Sequence, residues 1–167
     1  MSDVAIRPVE QGDLPALLDI YNHYIVNTPI TFDIEARTLA QRQEWLNQFA
    51  PTGRYRCFVA DRAGQAIGYV CSARFKEKEA YATTIETSIY LAPGEGGKGL
   101  GRRLYATLFE ALDGEDIHRA YGGVTLPNDA SVALHRAMGF VHIGTYPEVG
   151  RKFGKYWDVA HYLRDMG

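Results

Sequence analysis

Between Glu86 and Leu104 the chain reads Glu-Thr-Ser-Ile-Tyr-Leu-Ala-Pro-Gly-Glu-Gly-Gly-Lys-Gly-Leu-Gly-Arg-Arg-Leu, a strand pattern that runs straight into a glycine-dense turn opening a cationic helix. Glycines at 96, 97, 99 and 101 allow a sharp reversal and bring backbone N–H groups close to a ligand without Cβ interference. Leu100, Leu104, Leu108 and Leu112 follow as an apolar stripe at helical spacing, which packs on a sheet. Lys98, Arg102 and Arg103 crowd the start of that helix, where the positive end of the macrodipole disfavours cations. A bound anion removes the conflict, so the segment reads as a phosphate-holding turn. A glycine-rich surface loop with solvated charges is the competing reading.

Two familiar phosphate loops fail the spacing test. A P-loop needs Gly-Lys-Ser/Thr, but Lys98 is followed by Gly99; a dinucleotide fingerprint needs Gly-x-Gly-x-x-Gly, but Gly99 and Gly101 are followed by Leu104. Kinase, GTPase and nicotinamide chemistry lose their support. A net charge of −2 gives no sign of nucleic-acid binding, and no apolar run approaches the roughly 20 residues needed to span a bilayer. The N-terminus lacks the cationic and apolar regions of a signal peptide, so a cytoplasmic location is expected. The 167 residues are expected to form one domain, residues 1–167.

The elements can be placed in order. Val4–Pro8 is a strand, and a helix capped by Asp13 runs to about Asn27. Pro29 to Arg37 is a loop, and Thr38-x-x-Gln41 is a capping box for a helix reaching Phe49. Strands Tyr55–Asp61 and Ala66–Arg74 form a hairpin turning near Gly64, which sets Cys57 close to opposite Cys71. Neither cysteine has a Cys or His neighbour at ligand spacing, so two reduced thiols and no metal site are expected. Thr83–Leu91 is a strand, followed by a helix over Gly99–Leu112, a strand over Arg119–Thr125, a helix over Asn128–Met138, and strands over Val141–Val149 and Lys155–Leu163.

Alternation on Ile85–Leu91 puts Glu86, Ser88 and Tyr90 on one strand face. A carboxylate is poorly suited to a strand interior, so Glu86 must either pair with an arginine or serve as a base. Asn128, Ser131 and His135 form a polar stripe on their helix, either a channel lining or a solvated face. Phe32 is a pocket wall or a core aromatic.

Taken together, Gly96-Gly-Lys-Gly-Leu-Gly101, Ile6-Arg7, Asn22-His-Tyr-Ile25, Glu86-x-Ser-x-Tyr90, Leu126-Pro-Asn-Asp129, His135-x-x-x-Gly-Phe140 and Trp157-Asp-Val159 resemble the GNAT N-acetyltransferases, in particular the phosphinothricin and methionine sulfoximine/sulfone branch. The loop departs from that pattern at Gly96, where Gln or Arg is usual. The resemblance implies an α/β fold with a central mixed sheet of about seven strands and about four helices, and transfer of acetyl from acetyl-CoA to the amine of a small amino-acid analogue. It implies Glu86 as general base and offers His135 as the acid that returns a proton to the CoA thiolate. Ile89, Tyr90 and Leu91 would meet pantetheine and supply the oxyanion donor. Gly97, Lys98, Gly99, Leu100, Gly101 and Arg102 would hold the pyrophosphate, and Asn128 and Ser131 the pantetheine arm. Phe32, Arg74, Phe75 and Tyr81 would contact the acceptor, with Arg74 as its carboxylate partner, and relatives imply a homodimer. Acetylation of a protein N-terminus or polyamine, and a non-catalytic acyl-CoA-binding module, are the alternatives.

Overall fold

The computed structural model describes residues 3–167. Its elements, in order, are β1 Val4–Pro8, α1 Leu14–Asn27, α2 Leu39–Leu46, β2 Cys57–Arg62, β3 Gln65–Arg74, β4 Thr84–Leu91, α3 Leu100–Leu112, β5 Arg119–Leu126, α4 Asp129–Ala137, β6 Val141–Lys152 and β7 Lys155–Asp165, with short 3-10 turns at Gln11–Asp13 and Glu79–Tyr81. The strands form one seven-stranded sheet in the order β1-β2-β3-β4-β5-β7-β6. Every neighbouring pair is antiparallel except β4 with β5, which is parallel, so the sheet is mixed as expected.

Helices cover both faces of the sheet. On one, α1 buries Leu17 and Ile20 against Val59, Tyr69 and the two cysteines. On the other, Leu104, Leu108 and Leu112 of α3 pack on Phe58, Val70, Ile85 and Ala120. All three leucines are at most 2% exposed, and burial of each contributes about 1.5–3 kcal/mol against that sheet face. Cys57 and Cys71 face each other in the β2–β3 register and carry free thiols. Burial raises both thiol pKa values, Cys71 to about 12, which keeps the nucleophilic thiolate out of reach.

Most element ends fall within two residues of expectation, and two lie three residues away. The Thr38/Gln41 capping box opens α2, but the helix stops at Leu46 rather than Phe49. Beyond Leu46 the hydrogen bonds tighten: the Asn47 N–H still reaches Gln43, but the Gln48 and Phe49 N–H groups bond three residues back, to Trp45 and Leu46. Likewise β6 continues past Val149 to Lys152, because a register shift between Tyr146 and Gly150 absorbs extra residues and a two-residue turn at Phe153–Gly154, both at positive φ, closes the hairpin. That extension brings the end of β6 against the loop that follows α1.

Candidate active site

The site begins where two strands part. β4 pairs with β5 only at Thr84↔Arg119, Ile85↔Ala120 and Glu86↔Tyr121, while β5 stays paired with β7 as far as Leu126↔Asp158. Past Glu86 the sheet is therefore split, and a wedge opens toward the carboxyl ends of β4 and β5. The Ala92 N–H bonds to Ile67 of β3, so strand alternation turns the Tyr90 N–H toward β3 and the Ile89 and Leu91 N–H groups into the wedge. The Leu91 carbonyl is already taken, since the Tyr24 hydroxyl donates to it at 2.5 Å.

A groove continues from the wedge over the glycine turn. Its walls include Tyr24, Ile89, Tyr90 and Leu91, the turn at Gly96, Gly97 and Gly99, Leu100, Gly101 and Arg102 of α3, and Asn128, Ser131 and Leu134 near α4. Gly99 is the N-cap of α3 at φ 77°, with open space where a Cβ would stand. This is the turn conformation that leaves helix N-terminal N–H groups facing an anion. The cations divide differently from the sequence expectation. Arg102 lines the groove, but the Lys98 ammonium lies 3.2 Å from Glu95, and Arg103 donates to the Val4 carbonyl at 2.6 Å. Glu95 is also held by Arg62, first, and then Lys98, which together keep its carboxyl near 2, well below the usual range. Lys98 pairs within the turn and does not line the groove.

Where groove and wedge meet lies a cavity of about 250 Å³ lined by Glu86, Tyr90, Tyr121, His135, Asn128 and Ser131, with Ile30 and Phe32 arriving from the loop after α1. Glu86 makes no salt bridge or side-chain hydrogen bond among the described residues, which removes the structural ion-pair reading. Burial alone pushes its carboxyl pKa up. His135 is 4% exposed, so the α4 stripe is not a solvated face. Its Nδ1–H donates to the Ser131 carbonyl at 2.7 Å, which leaves Nε2 of the neutral ring to accept from the Tyr105 hydroxyl at 2.9 Å. Burial lowers the His135 pKa, which favours the neutral ring, and in this arrangement the imidazole bridges Ser131 and Tyr105 at the cavity wall. Asn128 caps α4 by accepting the Ser131 N–H at 3.1 Å.

A second cavity, about 620 Å³, opens on the other side of Glu86 and Tyr121, which line both. Phe75, Lys76 and Tyr81 form one wall, Ile143, Gly144, Tyr146 and His161 another. Phe75 and Tyr81 fall where the sequence pattern puts them. Arg74 does not: it pairs with exposed Glu77 at 3.1 Å, and in register with Ile85 it sits on the opposite sheet face from Glu86, whose partner is Ala73. The cations that reach this cavity are Arg119, held 2.8 Å from Asp165, and Lys76, which is in no ion pair among the described residues and lies 5.2 Å from the rings of both Phe75 and Tyr81. Tyr24, Ile30, Lys76, Tyr105 and Tyr121 were not legible as site residues. Two of them carried a signal, Tyr24 from its place in the Asn22–Ile25 motif and Lys76 from lying between Phe75 and Tyr81.

A bipartite site of this kind, a long groove ending on a helix N-terminus and a separate pocket sharing one unpaired carboxylate, has the layout of a group-transfer enzyme with two substrates. The chain belongs to the acetyltransferase (GNAT) family, whose sequence profile matches residues 17–140, and it is an N-acetyltransferase. It is 52% identical over 167 residues to a phosphinothricin N-acetyltransferase of Streptomyces coelicolor, covering 99% of this chain and 98% of that one. It is 34% identical to an L-methionine sulfoximine/L-methionine sulfone acetyltransferase of Pseudomonas aeruginosa, over 93% of this chain and 91% of that one. The fold superposes with a TM-score of 0.90 on a Sinorhizobium meliloti phosphinothricin acetyltransferase solved with acetyl-CoA, at 30% identity over 100% of this chain and 90% of that one.

Proposed function

We propose that this protein acetylates the primary amine of a small amino-acid analogue of the phosphinothricin, methionine sulfoximine or methionine sulfone type, with acetyl-CoA as donor and Glu86 as general base. The observation that carries the reading is Glu86 itself, an unpaired and half-buried carboxylate at the junction of the two cavities. The named relatives and the acetyl-CoA complex of a similar structure support the choice of donor and acceptor class. The groove suits the donor: an open positive-φ turn and Arg102 suit a pyrophosphate, and the Ile89 N–H suits an amide-bearing arm. When bound, acetyl-CoA supplies an activated acyl thioester. Glu86 would take the ammonium proton directly or through water so that the amine can attack the thioester carbonyl, with the Leu91 N–H available to the oxygen on which charge develops; collapse of the adduct would break the C–S bond, and CoA would leave as a thiolate that takes up a proton from solvent. Lys76 faces the acceptor carboxylate in place of Arg74.

Thiol release from acetyl-CoA, measured over a panel of acceptors, tests this. Methionine sulfone or sulfoximine is expected to exceed spermidine and short peptides by about tenfold or more in kcat/KM, roughly 1.4 kcal/mol of transition-state discrimination. Lys76→Ala should erode that preference and Arg74→Ala should leave it within about twofold. A panel won by peptides would move the activity to protein N-termini.

We also propose a homodimer. β6 is the edge strand of the sheet, and it exposes Val141, Ile143, Tyr146 and Val149, each at least 55% accessible, an apolar edge of the kind that pairs with a second copy. Light scattering should return twice the 18.7 kDa chain mass. A monomer at micromolar concentration would refute it.

A further inference from the structure

Lys152, at the far end of β6, is buried at 4% exposure and enters no ion pair among the described residues. Its ammonium donates instead to one main-chain oxygen, the Thr31 carbonyl, at 2.8 Å and 121 residues away in sequence. Burying an ammonium is costly, and an apolar side chain of the same length would fill the space without that cost. That carbonyl is its one hydrogen-bond acceptor, and the ammonium also lies 5.3 Å from the Phe153 ring and in the field of Asp33.

Thr31 sits in the loop after α1, between Ile30 and Phe32, both of which line the cavity at Glu86; Ile30 also lines the donor groove. β6 holds that loop at a second point. A Cβ on Gly150 would fall 2.2 Å from Phe32 Cε2 and 2.4 Å from Cζ, so the ring lies flush on the glycine backbone. The β6 side of the contact is itself braced, since the Trp157 indole N–H donates to the Lys152 carbonyl at 2.9 Å. On the α1 side, Tyr21 bonds the Thr31 hydroxyl at 3.1 Å, and the Asn22 side chain spans the Arg37 backbone with bonds of 3.0 and 2.7 Å.

Resting on the function proposed above, we propose that Lys152 is a positioning residue: with Gly150 it latches the 28–37 loop to the β6–β7 hairpin and so sets Ile30 and Phe32 as the wall of the cavity over Glu86, where the acceptor amine must arrive. The latch lies at the level of packing, and its consequence is acceptor affinity. It acts through the loop and touches neither substrate.

The test uses the full chain with two variants, Lys152→Met, which keeps length and removes the donor, and Gly150→Ala, which displaces the Phe32 ring and stands in should the first fail to fold. Amide hydrogen exchange over residues 29–36 reads the loop without any turnover. Exchange there should quicken by about tenfold or more in both variants. With L-methionine sulfone as acceptor, KM should rise about tenfold while acetyl-CoA Kd by calorimetry stays within about twofold. Unchanged loop exchange overturns the latch, as does faster exchange with an unchanged acceptor KM, or an acetyl-CoA Kd that weakens as much as the acceptor KM. Should the wild type fail to acetylate the sulfone, the functional reading falls, and the exchange experiment still decides the latch.

Discussion

Glu86→Gln is expected to lower turnover at neutral pH by about a hundredfold or more, with acetyl-CoA affinity nearly unchanged. The amide keeps the shape of the carboxylate and removes the base. Because Glu86 has no salt bridge to lose, the substitution strands no charge, and burial of a neutral amide is tolerated where a carboxylate already was. The pH dependence follows in sign. Burial holds the Glu86 pKa above the usual carboxylate value, so the ionised base fills only as pH rises through that raised value, and wild-type activity falls on acidification sooner than an ordinary carboxylate would dictate. The variant lacks that limb. Its deficit should shrink at high pH, where more of the amine arrives deprotonated. Paired pH–rate profiles at saturating acetyl-CoA, beside a thermal melt, measure this. Equal rates for the two proteins across the neutral range would remove Glu86 from the mechanism.

Gly99→Val is expected to weaken acetyl-CoA binding by about thirtyfold, about 2 kcal/mol, from the cost of holding a β-branched residue in a left-handed conformation. At φ 77° with nothing within 4 Å of a new Cβ, the penalty is conformational and carries no clash. The free turn therefore relaxes and rotates its N–H groups away from the pyrophosphate position, and binding must restore the strained conformation at that cost. Gly101 serves a different need, although it follows closely in the chain. It lies inside α3, and a Cβ there would come within 3.0 Å of Leu134 Cδ2. Gly101→Val thus attacks the packing of α3 on α4 and confounds affinity with stability. Calorimetric titration of acetyl-CoA into folded Gly99→Val is the clean measurement, and an unchanged Kd would mean that the turn does not hold the donor's phosphates.

Short-range chemistry was legible in the order of residues alone. The alternation on β4, the leucine stripe of α3, the Thr38 and Asn128 caps, the Gly64 hairpin that faces Cys57 with Cys71, and the positive-φ glycine turn all depend on neighbours a few residues apart or on a single tight turn. Those features placed Glu86 on its strand beside the donor turn. Partnership was a different matter. Whether Glu86 had an arginine, whether Lys98 had a carboxylate beside it, and whether Arg74 or Lys76 reached the second cavity each turned on which strand face or loop came within a few ångströms after folding. The parting of β4 from β5 just past Glu86 is set by long-range register, and it leaves no local signature. The burial of His135 against Tyr105, and of Lys152 against Thr31, joins residues 30 and 121 positions apart. Such contacts belong to the packed chain, because a side chain's proton, charge and reach acquire their chemical meaning from the partner and the dielectric around them, and neither exists before the chain has folded.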